Sequence, residues 1–183
     1  VVEFNVRFGD PETQVTIPLI SSDLGELFYS VSSGKLSDYE IKFHKLSSAT
    51  VVLASKNYPD SPTTGDLIYG YEVVIDEGEI NAFIHYSGTA KNEQGLYISS
   101  GGRVLSATGV APTLRDAVEA SYQIINNITL SGSYFRSDIA SRAFRRWFFI
   151  MSIQSLIYIA PRTVKTILQF AAMLRLDAVT IGD

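Results

Sequence analysis

Hydrophobic and polar residues alternate strictly at the start of the chain, where Val2, Phe4, Val6 and Phe8 interleave with Glu3, Asn5 and Arg7. Strand side chains point alternately to the two faces, so this pattern predicts a strand with an apolar face toward a core and a polar face carrying Glu3, Asn5 and Arg7. Gly9 then reads as a turn, Asp10 as a helix N-cap and Pro11 as the first helical position. A second helix is predicted from Asp23, whose acid-x-x-Glu spacing to Glu26 has the form of a capping box; it runs through Leu27, Phe28 and Val31 and stops near Gly34. Residues 38–44 alternate polar and apolar again and predict a half-buried strand. From Ala49 the texture is β-rich, with strands expected at 50–54, 71–75, 82–86, 96–99 and 103–108, separated by Gly- and Pro-bearing turns. The clearest helix is capped by Thr113 with Asp116 three positions on, and its stripe of Leu114, Ala117, Val118, Ile124 and Ile125 should pack on the small sheet.

The polar face of the first strand carries the candidate chemistry. A carboxylate oxygen at Glu3 and an amide carbonyl at Asn5 are hard ligands of the kind Mg²⁺ accepts, with waters and phosphate oxygens completing the octahedron. Arg7, two positions on, would lie beside phosphate, where a guanidinium fork binds two oxygens. Taken as residues alone, the same pattern also describes an edge strand whose polar face is merely solvated, and Arg7 could instead pair with Asp10 or Glu12.

The run EFNVRFGDPETQ at residues 3–14 closely resembles the end of the ATP-grasp domain of phosphoribosylamine–glycine ligase (glycinamide ribonucleotide synthetase). The blocks ATVVLASKNYP (49–59), FIHYSGT (83–89) and GGRVL (101–105), then YFRSDIA (134–140), resemble the same family in the same order. Several blocks in order are far more specific than any one short motif. The resemblance implies an α+β fold in which residues 1–44 form the C-terminal portion of the ATP-grasp domain. Residues 45–144 would form the family's β-rich C-terminal domain, a barrel-sandwich-like sheet with one packed helix. It implies that Glu3 and Asn5 bind the Mg²⁺ (or Mn²⁺) of ATP; Arg7, on the same face, is then read as serving both catalysis and cofactor binding beside the phosphates. It further implies ATP, glycine and 5-phosphoribosylamine as the reactants of the intact enzyme, joined through glycyl phosphate in purine biosynthesis. Fusion to an aminoimidazole ribonucleotide synthetase domain, as in eukaryotic members, is a further expectation.

Composition changes this picture little. A net charge of −4 and the lack of a basic patch argue against a nucleic-acid surface. With no cysteine there is neither a disulfide framework nor a thiolate metal site, which suits a cytoplasmic protein. His85, between Ile84 and Tyr86 on a predicted strand, reads as a structural half-buried side chain, and His44 carries still less signal. Gly101-Gly102-Arg103 has the composition of a phosphate cradle, but two glycines before a strand read better as a hairpin turn. No Ser-His-Asp arrangement or paired-histidine metal motif is legible, as expected of a ligase that works by positioning and charge neutralisation.

The chain opens in mid-strand on a motif that should close a larger domain, so it reads as a fragment that is inactive alone. Residues 145–183 match none of these blocks. Their apolar part, about fourteen residues, falls short of the roughly twenty that span a membrane, and they read as a divergent tail foreign to the family fold. Trp147, Phe148, Phe149 and Ile150 would there form an aggregation-prone patch. The competing reading is a non-catalytic β-rich interaction or regulatory module that has kept the family core.

Overall fold

A computed structural model describes residues 7–145. Glu3, Asn5 and the tail beyond residue 145 lie outside these residues, as does most of the first predicted strand. The described chain is α+β, running through α1 (Glu12–Thr16), a 3₁₀ turn (Ile17–Leu19), α2 (Leu24–Ser32) and a second 3₁₀ turn (Leu36–Asp38). The β-rich part follows as β1 (Ser47–Ala54), β2 (Ile75–Glu77), β3 (Ile80–Tyr86), β4 (Thr89–Lys91), β5 (Tyr97–Ser99) and β6 (Arg103–Ala111). Two helices close it, α3 (Leu114–Asn127) and the short α4 (Ser141–Arg145), which nothing in the sequence pattern announced.

The helix signals at Asp23 and Thr113 are borne out. The Asp23 carboxylate accepts from the Glu26 amide at 2.8 Å, and Gly34 follows α2 at φ +71°, a left-handed conformation that suits a residue without a Cβ. Leu27 is the buried anchor of α2, whereas Phe28 and Val31, expected in the same stripe, face solvent. Thr113 Oγ1 accepts from the Asp116 amide at 3.2 Å and donates to the Asp116 carboxylate at 2.6 Å, so the cap is reciprocal.

The predicted strand at 38–44 is corrected. The alternation of burial is there, with Ile41 buried between exposed Glu40 and Lys42, but among the described residues the segment makes a single bridge, between Phe43 and Ile20. Its partner segment is hemmed in by the 3₁₀ turn on one side and α2 on the other, so no ladder extends. Likewise, the strand expected at 71–75 begins only at Ile75, because a turn occupies residues 71–72; Tyr71 and Val73 still pack on the core.

The main sheet is antiparallel with strand order β1-β6-β3-β2, and β4 pairs with β5 in a separate ribbon. In register, Val51 and Ile84 both lie opposite Ala107, and Ala49 and Ala82 both lie opposite Gly109. These residues share the face that α3 covers with Ala117, Ala120, Ser121, Ile124 and Ile125. The other face is richer in hydroxyls: Ser48, Thr50, Ser106 and Thr108 are all buried, and Thr50 Oγ1 and Thr108 Oγ1 are 2.9 Å apart. The N-terminal segment folds back to pack α1 and its 3₁₀ turn against β1, burying Val15 and Leu19. Tyr97 of the ribbon stacks on Tyr86 of β3, with centroids 4.9 Å apart and planes 13° apart, and so fastens the ribbon to the sheet.

Tyr122 ties the last described segment to α3. Its hydroxyl donates to the Arg136 carbonyl at 2.7 Å and accepts from the Ile139 amide at 3.1 Å. Tyr122→Phe keeps the ring but leaves that amide without its acceptor, so it should destabilise the chain by about 1–2 kcal/mol. A urea titration should show the midpoint falling at constant m. An unchanged midpoint would mean that packing of Phe135 and Ile139 alone holds the segment.

Candidate functional site

The first described residues form a turn that the rest of the fold grips from two sides. Arg7 is exposed, its Nη1 donates to the carbonyl of Phe8 at 3.0 Å, and it makes no ion pair among the described residues. Phe8, expected in a core, is 59% exposed and meets Phe28 edge-on with centroids 5.7 Å apart. The Gly9 carbonyl accepts from both the amide (3.1 Å) and the hydroxyl (2.5 Å) of Thr13, which closes the turn onto α1.

Asp10 does not cap α1 as the sequence suggested. Pro11 occupies the cap position, and the amides of Thr13 and Gln14 bond to the carbonyls of Gly9 and Pro11. With those donors taken by backbone, the Asp10 carboxylate turns outward and accepts from Gln14 Nε2 at 2.6 Å. Its other partner lies 93 positions along the sequence. Arg103, at the start of β6, donates from Nη1 to the Asp10 main-chain carbonyl at 2.9 Å and holds Nη2 3.7 Å from Asp10 Oδ2. Arg7 therefore does not pair with Asp10; Arg103 does, which leaves the Arg7 guanidinium directed to solvent.

Beside this contact lies a small buried polar group. His85 on β3 is directly opposite Ser106 on β6, and its ring meets Phe83 edge-on at 5.2 Å. Burial lowers the His85 pKa and the nearby Asp10 carboxylate opposes that shift. His85 Nε2, Ser106 Oγ and Gln14 Oε1 are buried and have no hydrogen-bond partner among the described residues. His85 is half-buried as expected, but its Nε2 lacks the partner that a satisfied structural histidine would have among the described residues. The Gly101-Gly102 pair is not a hairpin turn: it carries the chain from β5 of the ribbon to β6 of the main sheet. Ser100 donates to Gly88, Gly88 to Arg103 and Ser55 to Gly102 along this crossing.

Chemically, the turn presents one exposed guanidinium at Arg7 and a carboxylate at Asp10 held by two neighbours. Among the described residues no cluster of three or more His, Cys, Asp or Glu side chains could hold a metal. No helix among the described residues is long and apolar enough to cross a membrane. Sequence reasoning missed Arg103 and Gln14 as partners of Asp10. For Arg103 the one available signal was that GGRVL and EFNVRFGDPETQ resembled the same family.

Comparison with known proteins bears on the whole described region. The family described as "Phosphoribosylglycinamide synthetase, C domain" matches residues 48–142. The phosphoribosylamine–glycine ligase of Mycobacterium tuberculosis is 45% identical over 144 residues, covering 78% of this chain and 32% of that protein. A bifunctional purine biosynthetic protein of Pichia angusta is 42% identical over 146 residues, covering 79% of this chain and 18% of that protein. The crystal structure of phosphoribosylamine–glycine ligase from Thermotoga maritima superposes with a TM-score of 0.55 at 29% identity, over 75% of this chain and 32% of that one. The chain thus spans about a third of the length of the monofunctional relatives it matches. Because the C-domain match takes in more than half of its residues, the chain belongs to the phosphoribosylamine–glycine ligase family.

Proposed function

We propose that this chain supplies the closing part of an ATP-dependent ligase that joins glycine to 5-phosphoribosylamine through glycyl phosphate, giving glycinamide ribonucleotide in cytoplasmic purine biosynthesis. The observation that carries this reading is that the family's C domain lies directly against the Arg7–Asp10 turn through Arg103. On this reading residues 1–44 complete an ATP-grasp domain and residues 45–144 form a barrel-sandwich-like domain that packs on it, with residues 145–183 as a divergent tail. The bifunctional purine biosynthetic relatives support fusion to a further purine-synthesis domain, which on this reading is an aminoimidazole ribonucleotide synthetase domain.

The donor set at Glu3 and Asn5, one carboxylate and one amide carbonyl, fits Mg²⁺ or Mn²⁺ in its preference for oxygen. Bound there, the ion would neutralise charge on the terminal phosphates of ATP. Arg7 would bind an oxygen of the transferring phosphoryl group or of the acyl phosphate, since its outward donors are uncommitted to any carboxylate among the described residues. Neither step needs a protein nucleophile.

A chain spanning a third of its relatives should lack the substrate-binding lobes that such a ligase requires. Phosphate release from ATP with glycine and phosphoribosylamine should therefore stay at blank for the 183 residues alone. A chimera in which this chain replaces the matching third of the M. tuberculosis ligase should turn over. Turnover by the isolated chain, or an inactive but folded chimera, would overturn the reading; the second result would favour a non-catalytic module.

A further inference from the structure

We propose that Arg103 is a positioning residue, clamping the Gly9–Asp10 turn so that Arg7 keeps a fixed place. This rests on the ligase reading above.

Arg103 spans 93 positions of sequence to reach one residue at two points, the main-chain carbonyl and the carboxylate. The ion pair alone is long, at 3.7 Å, and both side chains are more than 40% exposed, so solvent screens it to little value. The bond to the carbonyl, at 2.9 Å, is the directional element, because it fixes the backbone rather than a mobile side chain. Asp10 is three residues from Arg7, and successive Cα atoms are only about 3.8 Å apart. Holding the Asp10 peptide therefore narrows the positions open to Arg7. Gln14 holds the same carboxylate from α1, so Asp10 is braced from the C domain and from its own helix. A lysine at 103 would keep the charge but lose the planar fork that serves carbonyl and carboxylate together.

The clamp predicts two independent measurements. In the 183-residue chain, Arg103→Met should speed amide exchange at Thr13 and Gln14, whose amides bond within the turn, about fivefold or more, with α3 and β6 unchanged. In the chimera, Arg103→Met should lower kcat/KM for ATP about tenfold, and Arg103→Lys should restore only part of it. Combined with Arg7→Ala, the Arg103 loss should largely vanish, because a mispositioned group that is absent costs nothing further. A merely structural Arg103 would give additive losses. Unchanged exchange at Thr13 would remove the clamp whatever the chimera does, and additive losses would remove the positioning role. A folded chimera that is inactive with Arg103 intact would remove the ligase reading and the positioning role with it.

Discussion

Gly109→Val should cost the chain about 3 kcal/mol or more, enough to leave much of it unfolded if its stability is near the low end of the usual 5–15 kcal/mol. A Cβ at position 109 would lie 2.1 Å from the Ala117 carbonyl oxygen and 3.0 Å from its carbon. Those atoms belong to the backbone of α3 and cannot rotate away. The same approach brings Ser121 Oγ to 2.8 Å from the Gly109 amide, which it accepts, and to 2.9 Å from the Ala49 and Ala117 carbonyls. Pushing the helix off would therefore break a buried polar junction between α3, β1 and β6 as well as open the apolar interface. Valine is a favourable strand residue, so a Gly109 that was only a strand position would gain from the change. Urea unfolding followed by circular dichroism separates the two. A loss under about 1 kcal/mol would show that the helix does not lie this close to β6.

That junction shows which parts of the fold could be read from sequence. The capped helix at Thr113 and the strands around Ala49, Ile84 and Val104 were legible because their signals are local: a cap hydroxyl, a period of 3.6 or 2, a glycine where a turn is needed. The failures fall where local pattern and tertiary partner disagree. Residues 38–44 alternate like a strand and are buried like one, but a strand needs a neighbour of matching length, and the 19–22 segment offers one bridge. Asp10 before Pro11 looks like a cap, but the Gly9 and Pro11 carbonyls take the amides it would have capped. The choice of Gly109 for close approach rather than flexibility depends on where α3 returns, which no spacing encodes.

The candidate site divides in the same way. Strand alternation predicted Arg7 outward and Phe8 inward, but neither lies in a strand and both are exposed, so the outward guanidinium does not come from a strand face. The Arg103–Asp10 contact was not readable, since nothing local to either residue anticipates a partner 93 positions away. Only the shared resemblance of their two blocks pointed to both. His85 and Ser106 likewise become a pair only through the β3–β6 register.

In the chimeric ligase, Glu3→Gln or Asn5→Leu should lower kcat/KM for ATP about a thousandfold, equivalent to about 4 kcal/mol of transition-state stabilisation. Glu3→Gln keeps the shape but removes the charge that balances a divalent cation. Asn5→Leu keeps the approximate volume but removes the amide oxygen. Mg²⁺ demands a near-ideal octahedron and gives up its waters reluctantly, so a missing ligand leaves the ion weakly held and badly placed rather than merely shifted. Raising free Mg²⁺ should recover part of the loss if the deficit is in ion binding. It should recover none of the loss in Arg7→Ala, whose lost group is no ligand. The hydrophobic–polar alternation of the sequence predicts Glu3 and Asn5 opposite Val2, Phe4 and Val6, so unfolding midpoints should match the parent chimera. Wild-type kcat and KM for ATP in both variants would show that these side chains are only the solvated face of a strand.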